Sequence, residues 1–273
     1  MSDGKLERLL SKHNITAAEL EVILKSGKKE RHDDNVKKLD VGSKKFYYGY
    51  FSDAHIGSDS FRPDVYEKFV KMVRMYKPDF VVNVGDTLEG MSGRPGHVYE
   101  LTHIGFNQQV YYAERLLKEI PVPIYGIDGN HDAWFENKGD LGVVVGRELD
   151  KSVPNYHHLG QMEGDLDVDG VKMRLFHAND GSAYATSYKI QKLIESFSGG
   201  EKPAILHSGH YHKSLYLFTR NVHGIESGTL CSQSKFMRGK KIPAHTGFGF
   251  VRVWHDGFGS VKRFNHEFVP FYE

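Results

Sequence analysis

The sequence predicts an α/β fold built on two β-sheets. Through the first half, apolar strand-like runs alternate with amphipathic helical ones. One run, "FVVNVGD", is apolar on both parities, as in a sheet covered on both faces. The second half changes into a series of short, strand-like segments. With 273 residues, 39% of them hydrophobic, the chain can bury one large core and carry a small appendage.

Residues 5–25 read as two short helices. Leu6, Leu9 and Leu10 form one apolar face, and Leu20, Ile23 and Leu24 the other. Thr16 and Glu19 have capping-box spacing for the second helix. The polar, charged stretch that follows reads as a linker, so residues 1–40 form a helical segment with linker and residues 41–273 the main domain. There "KFYYGYFSD" reads as a strand and "RPDVYEKFVKMVRMY" as a helix with Val65, Phe69, Met72, Val73 and Tyr76 on one face. "FVVNVGD", "FNQQVYYAERLLKEI" and "VPIYGIDGNHD" continue as strand, helix, strand. "DLDVDGVKMRLFHAND" reads as a hairpin turning at Asp169-Gly170. "YATSYKIQKLIESF" is helical, "AILHSG" is a strand, and "KSLYLFT", "VHGIES", "FGFVRVWH" and "SVKRFNHEF" are strand-like. No internal repeat is visible.

Composition narrows the function classes. Lys+Arg (36) and Asp+Glu (35) cancel, so whole-chain charge does not argue for nucleic acid, although local charge still can. A single cysteine, Cys231, excludes a disulfide framework and a cysteine-rich metal site. No run approaches the ~18 apolar residues of a membrane span, and the first residues lack a signal-peptide core. A cytoplasmic protein with no membrane partner is the expectation.

In open α/β sheets, ligands bind beyond the carboxyl ends of the strands, and there the acidic and histidine residues gather. Asp53 and His55 end the first strand; two apart on a strand, they are expected to point the same way. Asp86 ends the second, Asn130, His131 and Asp132 the third, and His177 a later one. "ILHSGHYHKSL" then adds His210 and His212. Carboxylate, imidazole and amide donors without thiolate suit Mn²⁺, Fe²⁺, Zn²⁺ or Ni²⁺. Seven candidate donors exceed the need of one ion, and a carboxylate can bridge two ions ~3.5–4 Å apart.

In order, "DAH", "GD", "GNHD", "H" and "GHYH" resemble the five motifs of the calcineurin-like metallophosphoesterases, over residues 46 to 215. The resemblance implies a four-layer sandwich, two mixed β-sheets flanked by helices, around two divalent ions, with Mn²⁺ as first expectation and Fe, Zn or Ni as alternatives. It implies that Asp53, His55 and His212 hold one ion, that Asn130, His177 and His210 hold the other, and that Asp86 bridges them. His131 matches the family's non-ligand histidine, which faces the scissile phosphate, and Asp132 is expected to orient it. His207 matches no ligand position and reads as structural.

The "GNHD" form is similar to phosphodiesterases and double-strand-break nucleases, which makes a nucleic-acid or nucleotide diester the expected substrate. The segment at His177 resembles bacteriophage and prokaryotic members. Arg94 and His97, in the insertion after Asp86, either bind a substrate phosphate or belong to a solvated loop. Ser182, Tyr184 and Tyr188 either line the site or cap and pack the next helix. Lys235, Arg238, Lys240 and Lys241 beside Phe236 are either a backbone-tracking loop or a solvated face. The N-terminal helices could contact a protein partner or a second copy. A phosphomonoesterase remains an alternative. So does a non-catalytic scaffold like the small subunits of some DNA polymerases, although such scaffolds tend to lose ligands and none is missing here.

Overall fold

The computed structural model describes residues 36–137 and 142–272, together with Thr16. The two expected N-terminal helices therefore lie outside the described residues.

Among the described residues, twelve strands form two six-stranded mixed sheets. The first sheet has the order β12-β11-β2-β3-β4-β5. Its strands β2 (Lys45–Phe51), β3 (Phe80–Asn83), β4 (Ile124–Asp128) and β5 (Tyr156–Gln161) run parallel, and β11 (Gly247–His255) and β12 (Val261–Pro270) are added antiparallel. The second sheet, of order β1-β6-β7-β8-β10-β9, contains β1 (Lys37–Leu39), β6 (Glu163–Val168), β7 (Val171–His177), β8 (Ile205–Gly209), β9 (Ser214–Thr219) and β10 (Val222–Ser227).

Strand parity assigns the layers. Phe46, Tyr48 and Tyr50 of β2 meet Leu166, Met173, Leu175 and Ile205 between the sheets. The opposite face of β2, with Phe51, packs on helices α1 (Pro63–Tyr76) and α2 (Phe106–Leu117) through Val65, Phe69, Val73 and Leu117. Leu206 of β8 turns away from the sandwich to meet Ile190 and Ile194 of α5 (Tyr188–Ser196). The order is helices, sheet, sheet, helix.

Four elements depart from the sequence expectation. Lys37–Leu39, expected as linker, pair in parallel with β6, because Leu39 and Val41 cover the edge of the inter-sheet core. Helix α4 (Val145–Ser152) and strand β5 were not expected: the helix is short, and β5 is a polar edge strand, "YHHLGQ". Helix α5 begins only at Tyr188, so Tyr184 precedes it. Short helices α3 (Trp134–Asn137) and α6 (Lys235–Gly239) and a 3-10 turn at His97–Glu100 complete the described elements. No helix among the described residues is long and apolar enough to cross a membrane.

The same parity explains His207. It follows Leu206 on β8, so its ring enters the inter-sheet core, between Tyr48 Oη (2.9 Å from Nε2) and Ser227 Oγ (3.1 Å from Nδ1). Burial, and secondarily the nearby His266, lowers its pKa from 6.5 to about 3. Folded His207 thus stays neutral while the unfolded chain takes up a proton, and stability falls as pH drops from about 6.5 towards about 3. The loss is roughly 1.4 kcal/mol per pH unit in that window. Urea unfolding between pH 7 and 5 is expected to show a shallower pH dependence in His207→Gln than in the parent. Identical slopes would rule out this source of acid sensitivity.

Candidate metal centre

The site lies where β2, β3, β4, β7 and β8 end. β2 stops at Phe51 and β8 at Gly209, so Asp53, His55, His210 and His212 stand on turns beyond the strands. The expected strand alternation at Asp53 and His55 is corrected here: both lie beyond β2 with left-handed backbone, and their side chains meet with His55 Nε2 3.9 Å from Asp53 Oδ1. Five of the seven donor residues have positive φ: Asp53 (49°), His55 (48°), Asp86 (48°), His210 (85°) and His212 (54°). Asp, Asn and His enter this region more readily than most residues, yet each instance still costs roughly 1 kcal/mol.

Backbone hydrogen bonds hold these turns. Asp53 N donates to Gly85 O (3.0 Å), His55 N to Asp86 O (3.0 Å) and Ile56 N to Thr87 O (2.9 Å), lacing the loop after β2 to the loop after β3. Gly85, at φ 90°, lets His177 approach: a Cβ there would lie 2.5 Å from His177 Nδ1. At Gly129 a Cβ would lie 2.2 Å from Asp86 Oδ1.

The expected donors fall into two of three clusters among the described residues, the third joining His55 to Glu89 and His131. Asp53, His55 and His212 form one, and Asp86, His177 and His210 the other. Asn130 Oδ1 joins the second, 2.8 Å from His210 Nδ1 and 3.2 Å from His177 Nε2. Asp86 Oδ2 reaches both groups, 3.1 Å from His177 Nε2 and 3.7 Å from His55 Nε2.

The imidazole tautomers follow from their outer partners. A carbonyl can only accept, so His177 Nδ1 donates to Val84 O (2.7 Å) and His210 Nε2 donates to Asp180 O (2.9 Å). His55 Nδ1 faces Glu89 Oε2 at 2.8 Å. The inward nitrogens, His177 Nε2 and His55 Nε2 facing the carboxylates and His210 Nδ1 facing the Asn130 amide oxygen, are the ones that can bind an ion once their protons are displaced, the arrangement that orients metal-binding histidines. Spacing agrees as well. Two donors each about 2.1 Å from one ion at a right angle lie about 3.0 Å apart. His55 Nε2 and His212 Nε2 are 3.1 Å apart. The residues fit a pair of divalent cations.

Charge points the same way. Asp53 and Asp86 are fully buried, and their ion-pair partners among the described residues are histidines. Burial opposes their ionisation, but the histidines outweigh it and hold both below the usual carboxylate range. Burial also opposes charge on His55 and His177. Around His55, Glu89 first and then Asp86 and Asp53 outweigh it and raise the pKa to about 9. Around His177, Asp86 and then Asp53 raise it to about 10. The cluster demands positive charge.

Beside the two groups stands His131. Its Nδ1 donates to Glu89 O (2.8 Å), its ring stacks on Trp134 with centroids 3.8 Å apart, and its side chain is 21% exposed to the cleft. Burial lowers its pKa to about 4, with Asp86 opposing and His55 reinforcing. The expected Asp132–His131 contact is not formed. Instead the Asp132 carboxylate accepts from the backbone N–H groups of Leu88 (2.8 Å), Gly129 (2.9 Å) and Thr87 (3.1 Å). Asp132 joins the loop after β3 to the loop after β4, and three N–H groups occupy its oxygens.

The residue that sequence reasoning missed is Glu89. Buried three positions after Asp86, it faces His55 Nδ1 with Oε2, places Oε1 2.9 Å from His97 Nε2, and holds His131 through its carbonyl. An acidic residue in the otherwise small and apolar stretch "TLEG" was the available signal.

A cleft of about 660 Å³ opens over the donors. Arg94 lines it while paired to Glu100, and Ser182 and Lys235 line it too. His97 does not reach it: the ring is 1% exposed, held between Glu89 and the Ser92 N–H, which corrects its expected contact with substrate. Tyr184 is fully exposed and is not among the residues lining the cleft, which corrects its expected role as well.

The calcineurin-like phosphoesterase family model matches residues 48–226. Among curated proteins, the chain is similar to the DNA polymerase II small subunit of Methanothermobacter thermautotrophicus, at 26% identity over 238 residues, covering 71% of this chain and 49% of that protein. The DNA polymerase II small subunit of Archaeoglobus fulgidus is 28% identical over 268 residues, covering 81% and 54%. The chain thus spans about half the length of these relatives. Among solved structures, an archaeal phosphodiesterase matches with TM-score 0.48 and 14% identity, over 82% of this chain and 99% of that one. The Escherichia coli phosphoesterase Yfce matches with TM-score 0.44 and 13% identity, over 80% and 98%. Because the family match covers most of the chain and runs from β2 to β10, across every strand end that carries a donor, this chain belongs to the calcineurin-like phosphoesterase family.

Proposed function

We propose that this protein is a two-metal phosphodiesterase acting on nucleic acid or a nucleotide. The observation that carries the reading is the donor set. Two histidines donate outer nitrogens to Val84 O and Asp180 O, a third stands beside Glu89, and their inner nitrogens face buried carboxylates and one amide, while His131, next to His55, lines the cleft. Asp53, His55 and His212 are assigned to one ion, Asn130, His177 and His210 to the other, and Asp86 to both. Mn²⁺ is the first choice, with Fe, Zn or Ni as alternatives. Bound there, two divalent ions supply Lewis acidity at the phosphoryl oxygens and a water of lowered pKa.

The chain's own residues do the rest. Asp86 Oδ1 accepts from His131 N (2.8 Å), so the metal-binding loop and the cleft histidine move as one. The Glu89 carbonyl fixes the proton of His131 on Nδ1 and leaves Nε2 towards the cleft. His131 is neutral at rest, and a phosphate anion in the cleft favours a proton at Nε2, which it can pass to the departing oxygen.

The nucleic-acid part of the reading is supported by the relatives, which are named as subunits of a DNA polymerase. The same names support a second reading, a scaffold subunit without hydrolytic activity. Hydrolysis of labelled single- and double-stranded DNA with Mn²⁺, beside the bis and mono p-nitrophenyl phosphates, separates these readings. Diester cleavage lost in His131→Asn is expected. Preference for the monoester would favour a phosphomonoesterase, and no hydrolysis of any ester would favour the scaffold.

Three further outcomes follow from the assignments. Asp86→Asn is expected to lower metal content at both sites, measured by elemental analysis. His131→Asn is expected to keep its metal while turnover falls about a hundredfold or more; metal loss in that variant would refute the non-ligand role. Glu89→Gln is expected to weaken metal binding about tenfold or more, because it withdraws the charge behind His55. An unchanged affinity would reduce Glu89 to packing.

Metal binding is also expected to release protons. His55 and His177 hold theirs up to about 9 and about 10, so ions must displace them at neutral pH, and affinity should rise as pH rises towards those values. Calorimetric titration with Mn²⁺ in buffers of different ionisation enthalpy reads the release directly. Heats independent of buffer would contradict it.

A further inference from the structure

The cleft has a second wall of different chemistry. Lys235, Phe236, Met237 and Ile242 form it, with Arg94 alongside. It is built to hold one ring outward. The Ser234 hydroxyl caps α6 by accepting from Met237 N (3.2 Å), Met237 is buried as the anchor, and Ile242 N donates to Met237 O (2.9 Å). Phe236 is left 52% exposed on this support. The Arg94 guanidinium, held by both Glu100 oxygens, stands over one face of the Phe236 ring, 5.9 Å from its centre.

An exposed phenyl ring on a fixed support, beside two cations and in the same cleft as a phosphate-directed centre, suits one kind of ligand: a flat apolar ring joined to a phosphodiester. A nucleotide has that chemistry. In a duplex the base faces are already stacked on their neighbours, so only an unpaired base has a face to offer. We propose that the cleft takes an unpaired nucleotide of a nucleic-acid strand, its base stacked on Phe236 and its phosphates passing Arg94 and Lys235 to the metal centre. This inference rests on the phosphodiesterase reading for the purpose of the site, while the stacking contact itself is tested by binding.

The test is fluorescence anisotropy with the Mn²⁺-loaded His131→Asn protein, in which turnover is expected to be slowed. The probes are a short labelled single strand, the same strand carrying abasic residues, and the corresponding duplex. Adding Phe236→Ala is expected to weaken single-strand binding about tenfold or more. Phe236→Trp is expected to restore it, and abasic-strand affinity should change by less than about twofold. Equal losses on intact and abasic strands, no loss on either, or tighter binding of the duplex would overturn the inference. Hydrolysis of bis-p-nitrophenyl phosphate by the parent protein keeps the two readings distinguishable. Diester hydrolysis without strand binding refutes the stacking site alone. Base-dependent strand binding without hydrolysis of any diester refutes the phosphodiesterase alone.

Discussion

Two buried carboxylates, Asp53 and Asp86, are the constraint around which the rest of the site is organised. They follow adjacent parallel strands, β2 and β3, with no lysine or arginine among their described ion-pair partners. A carboxylate in such a place needs hydrogen bonds and positive charge to stay ionised. Asp53 takes hydrogen bonds from Ser52 Oγ and His210 N, and Asp86 takes one from His131 N. The remaining demand falls on the histidines and the ions they can hold. Turning both carboxylates to one point sends the backbone into the left-handed region at five positions. The cross-loop ladder from Asp53 to Ile56 and the Asp132 staple are what make that conformation the only one available.

The layered fold was legible because burial and strand periodicity are local. Phe46, Tyr48 and Tyr50 alternate with residues of the other face, and the same rule puts His207 inside and keeps it out of the metal centre. The order of donors along the chain was legible for a related reason: parallel strands deliver their ends to one edge. Elements that satisfy themselves through tertiary contacts were not. β5 is polar because it is an edge, α4 is too short to show a period, and β1 is three residues whose pairing depends on a distant strand.

Inside the site, residue type was readable and residue partnership was not. Asp132 and Glu89 illustrate the difference. Both are buried acids within three positions of a donor residue, and either could orient His131. Asp132 sits at a sharp turn, where the nearest unpaired groups are backbone N–H donors, and it is consumed by them. Glu89 has a longer side chain and lies on the loop that passes under His55 and His97. His97 failed as a substrate contact for the same reason: its ring completes the shell of Glu89 and closes off its route to the cleft.

That shell ties metal affinity to proton handling. The Glu89 side chain stands 2.8 Å from Nδ1 of His55, and its main-chain carbonyl accepts from Nδ1 of His131. A shift of the loop by a fraction of an ångström would therefore loosen His55 and misdirect His131 together. Asp86 imposes a similar bond from the other side, through His131 N. His131 is held at its backbone N–H by Asp86 and at Nδ1 by the Glu89 carbonyl, so Nε2 is the ring nitrogen left over on a side chain that lines the cleft.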